Sequence, residues 1–249
     1  MLKLCALVPC YRHGALIAPV LQQLKQQGLA VVVVDDGCEG ADKAALHAAC
    51  AQAGVKLLQH PYNQGKGAAF MTGMQAAIAH GYTHLLQVDA DGQHDLNYLP
   101  QLIAKAEQYP QAVISALQIF GPEAPKARVY GRQITNFWVM VETLSTKLKE
   151  SMCGMRIYPL AATAKLASQV HIGRGMDFDI EILVRLFWQG LDVHYVKVPV
   201  HYRQDNSSNF HPLRDNLKIS WLHTRLCCAM PWHLKALLGR KLASRNLQA

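Results

Sequence analysis

The sequence predicts an α/β fold in which a mostly parallel β-sheet is flanked by helices. Segments typical of strands alternate with segments typical of helices through the first half of the 249-residue chain. Residues 30–34 (AVVVV) are mainly β-branched, which is typical of a strand buried on both faces. Because strand–helix–strand connections are right-handed and leave the strands parallel, this alternation predicts one layered domain. The hydrophobic fraction of 51% can supply its core.

Five strands and three helices are predicted before residue 118. The strand segments are residues 3–8 (KLCALV), 30–34, 55–59 (VKLLQ), 83–88 (THLLQV) and 112–117 (AVISAL). The helix segments are residues 18–27, 68–81 and 96–109. The first of these helices has Pro19 in its first turn and ends at Gly28, and each residue favours that position.

The second half of the chain follows a different pattern. Residues 118–127 form a predicted loop with two prolines, and a long helix is predicted over residues 128–149. Residues 177–190 predict a strongly amphipathic helix. The alternation in residues 192–202 predicts a strand, either antiparallel or at a sheet edge, because Pro199 lacks a backbone donor.

The C-terminal segment is basic. From residue 214 onward it has seven basic residues and one acid, so it carries +6 of the formal net charge of +8. Leu, Ile and Trp are interspersed among these basic residues, which is typical of helices in a membrane interface. We therefore predict a main domain at residues 1–212 and a basic amphipathic helical tail at residues 213–249 that binds an anionic membrane surface. The alternative is a helix packed on the domain with a solvated basic face.

Several classes of protein are not predicted. No apolar run reaches the ~18 residues that a membrane-spanning helix needs, and the N-terminal apolar segment is interrupted at Pro9 without a signal-peptide cleavage site. The seven cysteines have no CxxC spacing, so reduced thiols are expected rather than a disulfide framework or a zinc site. Nucleic-acid binding is not predicted, since no basic–aromatic pattern accompanies the charge. These features indicate a cytoplasmic protein.

Acidic residues follow two of the predicted strands. Asp35 and Asp36 follow the second strand, and Asp89 and Asp91 follow the fourth. Ligands of open α/β sheets bind beyond the carboxyl ends of the strands. Because acids at that edge repel one another, Asp89, Asp91 and Gln93 predict a Mg²⁺ or Mn²⁺ site that also holds a diphosphate. A solvated Asx-type turn is the alternative for a DxD pattern alone.

A second anion-binding feature is NQGKGAA at residues 63–69. It places Lys66 and flexible glycine backbone at the N-terminus of a predicted helix, where anions are favoured. It is not a Walker loop, because Gly67 follows Lys66 where Ser or Thr is required. No GxGxxG follows a strand, so a dinucleotide oxidoreductase is not predicted either.

Taken in order, seven motifs resemble those of the family 2 glycosyltransferases with the GT-A fold, which is a Rossmann-like architecture. The motifs are VPCYRHG, VVDDGCEG, NQGKGAA, VDADGQHD, CGMRIYPL, FDIEILVR and VPVHYR, within residues 4–210. The likeness is greatest to the dolichyl-phosphate mannose synthase type and its bacterial polyprenyl-phosphate glycosyltransferase relatives.

The resemblance implies roles for individual residues. The donor-binding residues are then Pro9, Tyr11, Asp35, Asp36, Lys66, Asp89, Ala90 and Asp91. The metal ligands for Mg²⁺ or Mn²⁺ are Asp89, Asp91 and Gln93. The residues Arg128, Arg132 and Arg203 resemble the arginines that meet the donor diphosphate or the acceptor phosphate, a task that suits bidentate guanidinium groups. For each arginine the alternative is an ordinary surface charge.

The chain departs from the family pattern at five positions. Cys38 replaces the serine of DDGS, and Met155 replaces the phenylalanine of GFR. Arg12 and His13 stand where Asn and Glu are common, which implies a different recognition of the base. Asn209 stands where the family often has Lys or His, which implies that one cationic phosphate contact is absent.

The implied reaction is an inverting transfer of a sugar from a UDP- or GDP-linked donor to a membrane-associated lipid acceptor. The metal on Asp91 would stabilise the leaving diphosphate. A polyprenyl phosphate acceptor needs no general base, whereas a lipid hydroxyl does. Asp177 and Asp179 are the candidate bases, with helix capping as the alternative for Asp179. Such an enzyme is expected to be peripheral on the inner face of the membrane.

Two other functions share this architecture. A sugar nucleotidyltransferase would need a glycine-rich triphosphate loop after the first strand, which PCYRHG does not supply. A non-catalytic nucleotide-sugar-binding module would be expected to lose the metal acids, which this sequence keeps.

Overall fold

The computed structural model describes residues 2–121, 124–200 and 212–246, and it contains one seven-stranded sheet. The strands are β1 (Leu4–Cys10), β2 (Ala30–Asp35), β3 (Lys56–Gln59), β4 (His84–Gln87), β5 (Val113–Phe120), β6 (Arg156–Pro159) and β7 (Val193–Val200). Their order across the sheet is β3-β2-β1-β4-β6-β5-β7. Only β6 is antiparallel to its neighbours among these strands, so the mostly parallel sheet predicted from the sequence is confirmed.

Helices cover both faces of the sheet. They are α1 (Ile17–Gln26), α2 (Gly40–Ala53), α3 (Lys66–Ala79), α4 (Leu99–Gln108), α5 (Lys126–Thr143), α6 (Leu160–Gln169), α7 (Phe178–Trp188), α8 (Pro212–Ala229) and α9 (Leu234–Asn246). Strand side chains alternate between the two helix layers, as a period of two requires. In β2, Val31 and Val33 pack with α1, α2 and α4, whereas Val32 and Val34 pack with α3 and α7. The prediction that this strand is buried on both faces is confirmed.

The boundaries in the second half differ from the predictions. The helix predicted over residues 128–149 ends at Thr143, because Leu144 adopts a left-handed conformation (φ 49°) that an α-helix cannot continue. Strand β6 was not predicted, since its four residues include an arginine and a proline. Strand β7 lies at the sheet edge, as Pro199 suggested, but it pairs parallel with β5.

The C-terminal helix α8 packs on the domain along one face. Its buried residues Ile219, Leu222 and Leu226 belong to the same apolar cluster as α7. Two ion pairs also join the helix to the domain, His223–Glu142 at 2.7 Å and Arg225–Glu181 at 2.7 Å. This packing matches the alternative considered for the tail, although the opposite face of α8 remains exposed. None of the described helices is long and apolar enough to cross a membrane.

Candidate active site

The carboxyl ends of β1, β2 and β4 meet at one edge of the sheet. Strand β1 lies between the other two and is parallel to both, with Cys10 opposite Asp35. Pro9 and Tyr11 therefore lie at the centre of this edge, with one acidic strand end on each side. The structure thus brings together the three strand ends at which the sequence predicted a site.

Asp35, at the end of β2, is 1% exposed. It accepts a hydrogen bond from the backbone N–H of Cys38 at 2.7 Å, and its other oxygen lies 3.4 Å from His47 Nε2. Its predicted donor contact is therefore not open to the cleft in this structure.

Asp36 is likewise buried, and it organises the loop that precedes α3. Its carboxylate accepts hydrogen bonds from four groups, which are the backbone N–H of Gln64 (2.9 Å), the backbone N–H of Gly65 (2.8 Å), the Asn63 side chain (3.1 Å) and the His60 ring (2.7 Å). A carboxylate with this many donors is fully satisfied by the protein. The structure gives Asp36 a part in holding the NQGKG loop, and its predicted donor contact remains a prediction.

Two glycine-containing loops interlock beside this edge. The backbone N–H of Gly67 donates to the carbonyl of Arg174 at 2.9 Å. A Cβ atom at Gly65 would overlap the Arg174 carbonyl, and one at Gly67 would overlap the Gly173 carbonyl. Gly65 also has a φ of 99°, which side chains rarely adopt. These glycines allow Lys66 to start α3 directly against the loop that leads into α7.

Lys66 bridges two carboxylates from opposite sides of the cleft. Its Nζ lies 2.7 Å from Asp89 Oδ1 and 2.6 Å from Asp179 Oδ2. Burial by itself would lower the pKa of Lys66, but the charges of Asp179 and Asp89 outweigh it and raise that pKa. Burial would raise the pKa of Asp89, yet the charge of Lys66, with that of His94, lowers it. Both groups are therefore charged.

Asp91 receives little neutralisation from the protein. Its Oδ1 accepts only the backbone N–H of Gln93 (3.0 Å) among the hydrogen bonds found in the described residues, which is the Asx-type turn. Burial, and then the charge of Asp89, raises its pKa. A cation placed against Asp91 would relieve both effects, so this strand end fits a divalent metal.

The donor set for such a metal is small. Within the ranges that the structure describes, no three His, Cys, Asp or Glu side chains are grouped to hold an ion. Asp89, Asp91 and the Gln93 amide would therefore leave several coordination positions to water or phosphate. This is how Mg²⁺ is usually held in phosphate-binding sites, so the residues present fit the ion.

Two histidines border the acids. His94 is buried, with Nε2 3.9 Å from Asp89 Oδ2, which is too long for a hydrogen bond. Burial lowers its pKa in spite of the neighbouring acids. His13 lies close enough to both acids to lower their pKa values by its charge. Arg12, before it, has a φ of 56°, a conformation that Asn adopts far more readily.

The predicted arginines have different outcomes. Arg132 Nη1 donates to Glu150 at 2.7 Å, so its guanidinium is already paired, and its charge adds to the burial that lowers the pKa of His94. Arg128 lies one turn earlier on α5 and is partly exposed. Arg203 lies outside the described residues, but β7 ends at Val200, which bridges His94.

The two candidate bases are not equally accessible. Asp179 is 4% exposed, and both of its oxygens are bonded, one to Lys66 and the other to Gln87 Nε2 at 2.8 Å. A base role for Asp179 would require it to leave one of these partners, and its side chain does not cap α7. Asp177 is half-buried, and burial raises its pKa. Only Asp177 of the pair has a carboxylate that reaches solvent.

Several residues of the site escaped the sequence analysis. Gln87 and Arg156 support Asp179 from the sheet, and Gly154 packs directly against the Asp89 carboxylate. Arg156 lies in the CGMRIYPL motif, but an arginine is seldom predicted to be 0% exposed. His94 stands inside the VDADGQHD motif, which was the available signal for it.

The fold is that of the GT-A glycosyltransferases, as predicted. It is similar to glucosyl-3-phosphoglycerate synthase from Mycobacterium tuberculosis solved with Mn²⁺ and UDP-glucose, with a TM-score of 0.68 and 13% sequence identity. The match covers 92% of this chain and 78% of that one. The chain also matches the family model described as glycosyl transferase family 2 over residues 5–184. It belongs to this family and is a glycosyltransferase, which confirms the resemblance carried by the motifs.

The chain is also similar to individual proteins at modest sequence identity. An uncharacterized protein of Methanocaldococcus jannaschii is 27% identical over 79% of this chain and 88% of its own length. A dolichyl-phosphate beta-glucosyltransferase of Trichomonas vaginalis is 25% identical over 81% of this chain and 64% of its own. A polyprenol monophosphomannose synthase of Mycolicibacterium smegmatis is 25% identical over 70% of this chain and 66% of its own. This chain therefore matches only about two thirds of the length of each of the last two proteins.

Proposed function

We propose that this glycosyltransferase moves a sugar, with inversion, from a UDP- or GDP-linked donor to the phosphate of a membrane lipid. The observation that carries the proposal is the acidic end of β4, where Asp91 faces the cleft with little neutralisation by the protein. The positive end of the α3 helix dipole lies near this strand end, since Lys66 contacts Asp89, although the N–H of Gly67 is already bonded to Arg174.

A divalent cation held by Asp89, Asp91 and Gln93 would supply electrostatic stabilisation of the leaving diphosphate. The protein's own residues would position the donor and the metal ligands. Pro9 and Tyr11 lie at the centre of the strand edge, where a nucleoside can bind, and Asp89 is held in place by Lys66. Glucosyl-3-phosphoglycerate synthase, which has a similar fold, was solved with Mn²⁺ and UDP-glucose. We therefore choose Mn²⁺ as the first ion to test.

The acceptor is proposed to be a phosphate because Asp179, the candidate base that shares Lys66 with Asp89, has both of its oxygens bonded, which leaves only Asp177 as a candidate base. A phosphate is anionic and attacks without losing a proton, whereas a hydroxyl needs a carboxylate to accept one. Asp179 is committed to Lys66 and Gln87. Arg132, beside His94, and Arg128, one turn away, are suited to bind the acceptor phosphate. The names of two relatives, a dolichyl-phosphate beta-glucosyltransferase and a polyprenol monophosphomannose synthase, support the same acceptor class.

Exposed apolar side chains on α5 and α8 support a membrane-bound acceptor. On α5 they form the stripe Tyr130, Ile134, Phe137 and Trp138, and on α8 the stripe Leu213, Leu217 and Trp221. The two helices pack together, with the Trp138 and His223 rings 6.4 Å apart, so we call the two stripes the α5–α8 face. Contiguous apolar patches on a protein surface mark interaction sites. We propose that this face lies on the cytoplasmic side of the membrane.

Nearby cations suit an anionic leaflet. Lys126 begins α5 and Arg214 lies in the first turn of α8, and both are exposed. Two other cations of the tail, Arg225 and Arg240, pair instead with Glu181 and Asp192 of the domain. The membrane attraction is therefore expected to come from the α5–α8 face and the cations beside it.

The membrane part is tested by sedimentation with anionic vesicles. The variant Phe137→Ser/Trp221→Ser should leave most of the protein in the supernatant under conditions in which the wild type sediments. Ile78→Ser is the matched control, because Ile78 is also exposed but lies in the last turn of α3, away from the strand-end acids. Equal sedimentation of the double variant and the wild type would overturn the membrane assignment. Deleting α8 would not be a clean test, because Leu222 and Leu226 are core residues.

The reaction itself is tested by sugar transfer assays with Mn²⁺. UDP- and GDP-linked sugars are supplied with polyprenyl phosphate, with the corresponding polyprenol, and with phosphoglyceric acid as a water-soluble acceptor. Transfer to the polyprenyl phosphate alone is the expected result, and the anomeric configuration of the product reports inversion. Transfer to the polyprenol would establish a hydroxyl acceptor. Tight donor binding without turnover on any acceptor would indicate a non-catalytic binding module.

A further inference from the structure

Lys66, Asp89 and Asp179 form a chain of charged side chains that links the strand-end acid to α7. The two carboxylates contact the same ammonium group at 2.7 and 2.6 Å, and the side chain of Lys66 is 14% exposed. Asp179 is 113 residues from Lys66 in sequence, so this contact exists only because the fold creates it. We call these three residues the charge bridge.

The Lys66 end of the charge bridge is fixed through its backbone. Asp36 binds the N–H groups of the two residues before Lys66, and Arg174 binds the N–H of the residue after it. The start of α3 is thus held from both sides. The ammonium group of Lys66 is in turn held by its contact with Asp179.

The Asp179 end is fixed through the sheet. Gln87, at the end of β4, donates to Asp179 Oδ1, and Arg156, on β6, donates to the Asp179 carbonyl at 2.8 Å. Arg156 is itself fully buried and also donates to Ser115, Ser151 and Tyr158. Arg156 thus holds the backbone of Asp179, and the Asp179 side chain cannot leave Lys66 without also losing the hydrogen bond from Gln87.

Asp89 is held between Lys66 and a tight backbone. Lys66 binds Oδ1, while a Cβ atom at Gly154 would overlap the Asp89 carboxylate. The carboxylate is packed on one side, bonded on the second and 28% exposed on the side of the cleft. Its orientation is thus set by groups that do not touch the donor.

We propose that Asp179 is a positioning residue, which acts through Lys66 to hold Asp89 in the orientation that binds the metal–diphosphate complex. The inference rests on the proposed function for the identity of the ligand that Asp89 receives. It replaces the general-base role predicted for Asp179 and gives Lys66 a task other than direct phosphate binding. Residues that orient a metal ligand typically alter metal affinity or activity by about 10–100-fold when they are changed.

The test uses the full chain, with four variants and one metal-binding measurement. Asp179→Asn removes the charge but keeps the shape, and it suits the site because Gln87 Oε1 is buried without a partner among the described residues and can accept from the new amide after a flip. Lys66→Met removes the central charge, and Lys66→Arg retains it. Glu142→Gln is the matched control, since Glu142 is also a buried, paired carboxylate but lies in the α5–α8 contact.

Mn²⁺ affinity in the presence of UDP or GDP is measured by electron paramagnetic resonance at a temperature well below each melting point. Asp179→Asn should weaken Mn²⁺ binding about 10–100-fold. Lys66→Met should weaken it at least as much, Lys66→Arg should restore part of the loss, and Glu142→Gln should leave it unchanged. The pH–rate profile of Asp179→Asn should keep the shape of the wild-type profile. Unchanged Mn²⁺ affinity together with a lost limb of that profile would make Asp179 the general base and overturn the proposal.

Crystal structures of metal-free Asp179→Asn and Lys66→Met provide a readout that needs neither metal nor substrate. The expected result is a new Asp89 side-chain orientation in both variants. An Asp89 carboxylate that keeps its place in both would overturn the positioning role. If instead the wild-type protein binds no Mn²⁺ and transfers no sugar, the proposed function fails, while these crystal structures still decide whether the charge bridge orients Asp89.

Discussion

The two acidic strand ends of this protein use the same residue type in opposite ways. At the end of β2, Asp36 accepts hydrogen bonds from four groups of the protein and is 2% exposed. At the end of β4, Asp91 accepts one backbone hydrogen bond, and burial with the charge of Asp89 raises its pKa. One strand end is closed by its own chain, and the other is left with charge that a ligand can neutralise.

This difference separates structural from functional acids. A carboxylate with enough donors contributes to folding and gains nothing from a cation, whereas one with few donors is costly until a cation arrives. Asp89 is intermediate, because Lys66 neutralises one side of it and leaves the other side open. The number of protein partners thus decreases from Asp36 through Asp89 to Asp91. We expect the contribution to folding stability to decrease in the same order, and the contribution to ligand binding to increase.

The largest expected effect is the loss of sugar transfer on removal of Asp91. Asp91→Ala should lower kcat/KM by about 10³-fold or more, since metal stabilisation of the leaving group is worth several kcal/mol. The melting temperature should not fall, because the variant removes one of two mutually repelling acids. Asp95→Ala is the control, as Asp95 makes the same type of turn, to Asn97 N at 3.0 Å. Equal activity of the Asp91 and Asp95 variants would contradict the open-site assignment.

At the end of β2 we expect the opposite result, a large loss of stability with a small loss of activity. Asp36→Asn cannot accept all four hydrogen bonds, and the resulting loss of stability is about 3 kcal/mol, the typical cost of breaking a buried charged network. Urea unfolding followed by circular dichroism measures it. At a temperature low enough to keep it folded, the Asp36→Asn variant should retain far more transferase activity than Asp91→Ala does. A variant with normal stability and no transfer would show instead that Asp36 contacts the donor.

A smaller loss is expected when the packing behind Asp89 changes. The Cβ atom introduced by Gly154→Ala would overlap the Asp89 carboxylate and push it from its place, so Mn²⁺ affinity should fall about 10-fold. Gly239→Ala on α9 is the control, because a Cβ atom there meets no other atom within 4 Å. Titration with Mn²⁺ compares the two variants. Identical affinities would show that the position of Asp89 does not depend on Gly154.

The sequence was sufficient for the fold class, and it predicted acidic ends on two strands that lie on either side of β1 in the sheet. Period-two apolar runs and strand–helix alternation report local geometry, so most elements of the first half follow from them. Strand β6 did not, because its pairing with β4 and β5 is set by tertiary contacts and not by its four residues.

The charge state of the site was not predictable from the same patterns. The partners that distinguish Asp36 from Asp91 come from residues 60–65, and Asp179 comes from α7, more than 100 residues from Lys66. Arg156 was missed because arginine is usually exposed, and its burial depends on acceptors from β5 and α7. The motifs therefore predicted which edge of the sheet carries the acids. The hydrogen-bond partners that distinguish these acids could be identified only from the three-dimensional structure.

A third buried acid extends the comparison to the contact between α5 and α8. Glu142 is 0% exposed, accepts from His223 at 2.7 Å, and has one oxygen without a partner among the described residues. Burial raises its pKa, although the hydrogen bond and the charge of His223 oppose this. Ionising Glu142 is therefore more costly in the folded chain than in the unfolded chain.

The smallest expected effect is the pH dependence that follows from this burial. The stability that Glu142 contributes relative to Glu142→Gln should be greatest near and below the ordinary glutamate pKa of about 4.3 and should decline as the pH rises through the raised value. Urea unfolding of both proteins between pH 4 and pH 8 measures the difference. A difference that grew with pH would mean that an ionised Glu142–His223 pair holds α8, and that this acid, like Asp36, is fully neutralised by the chain.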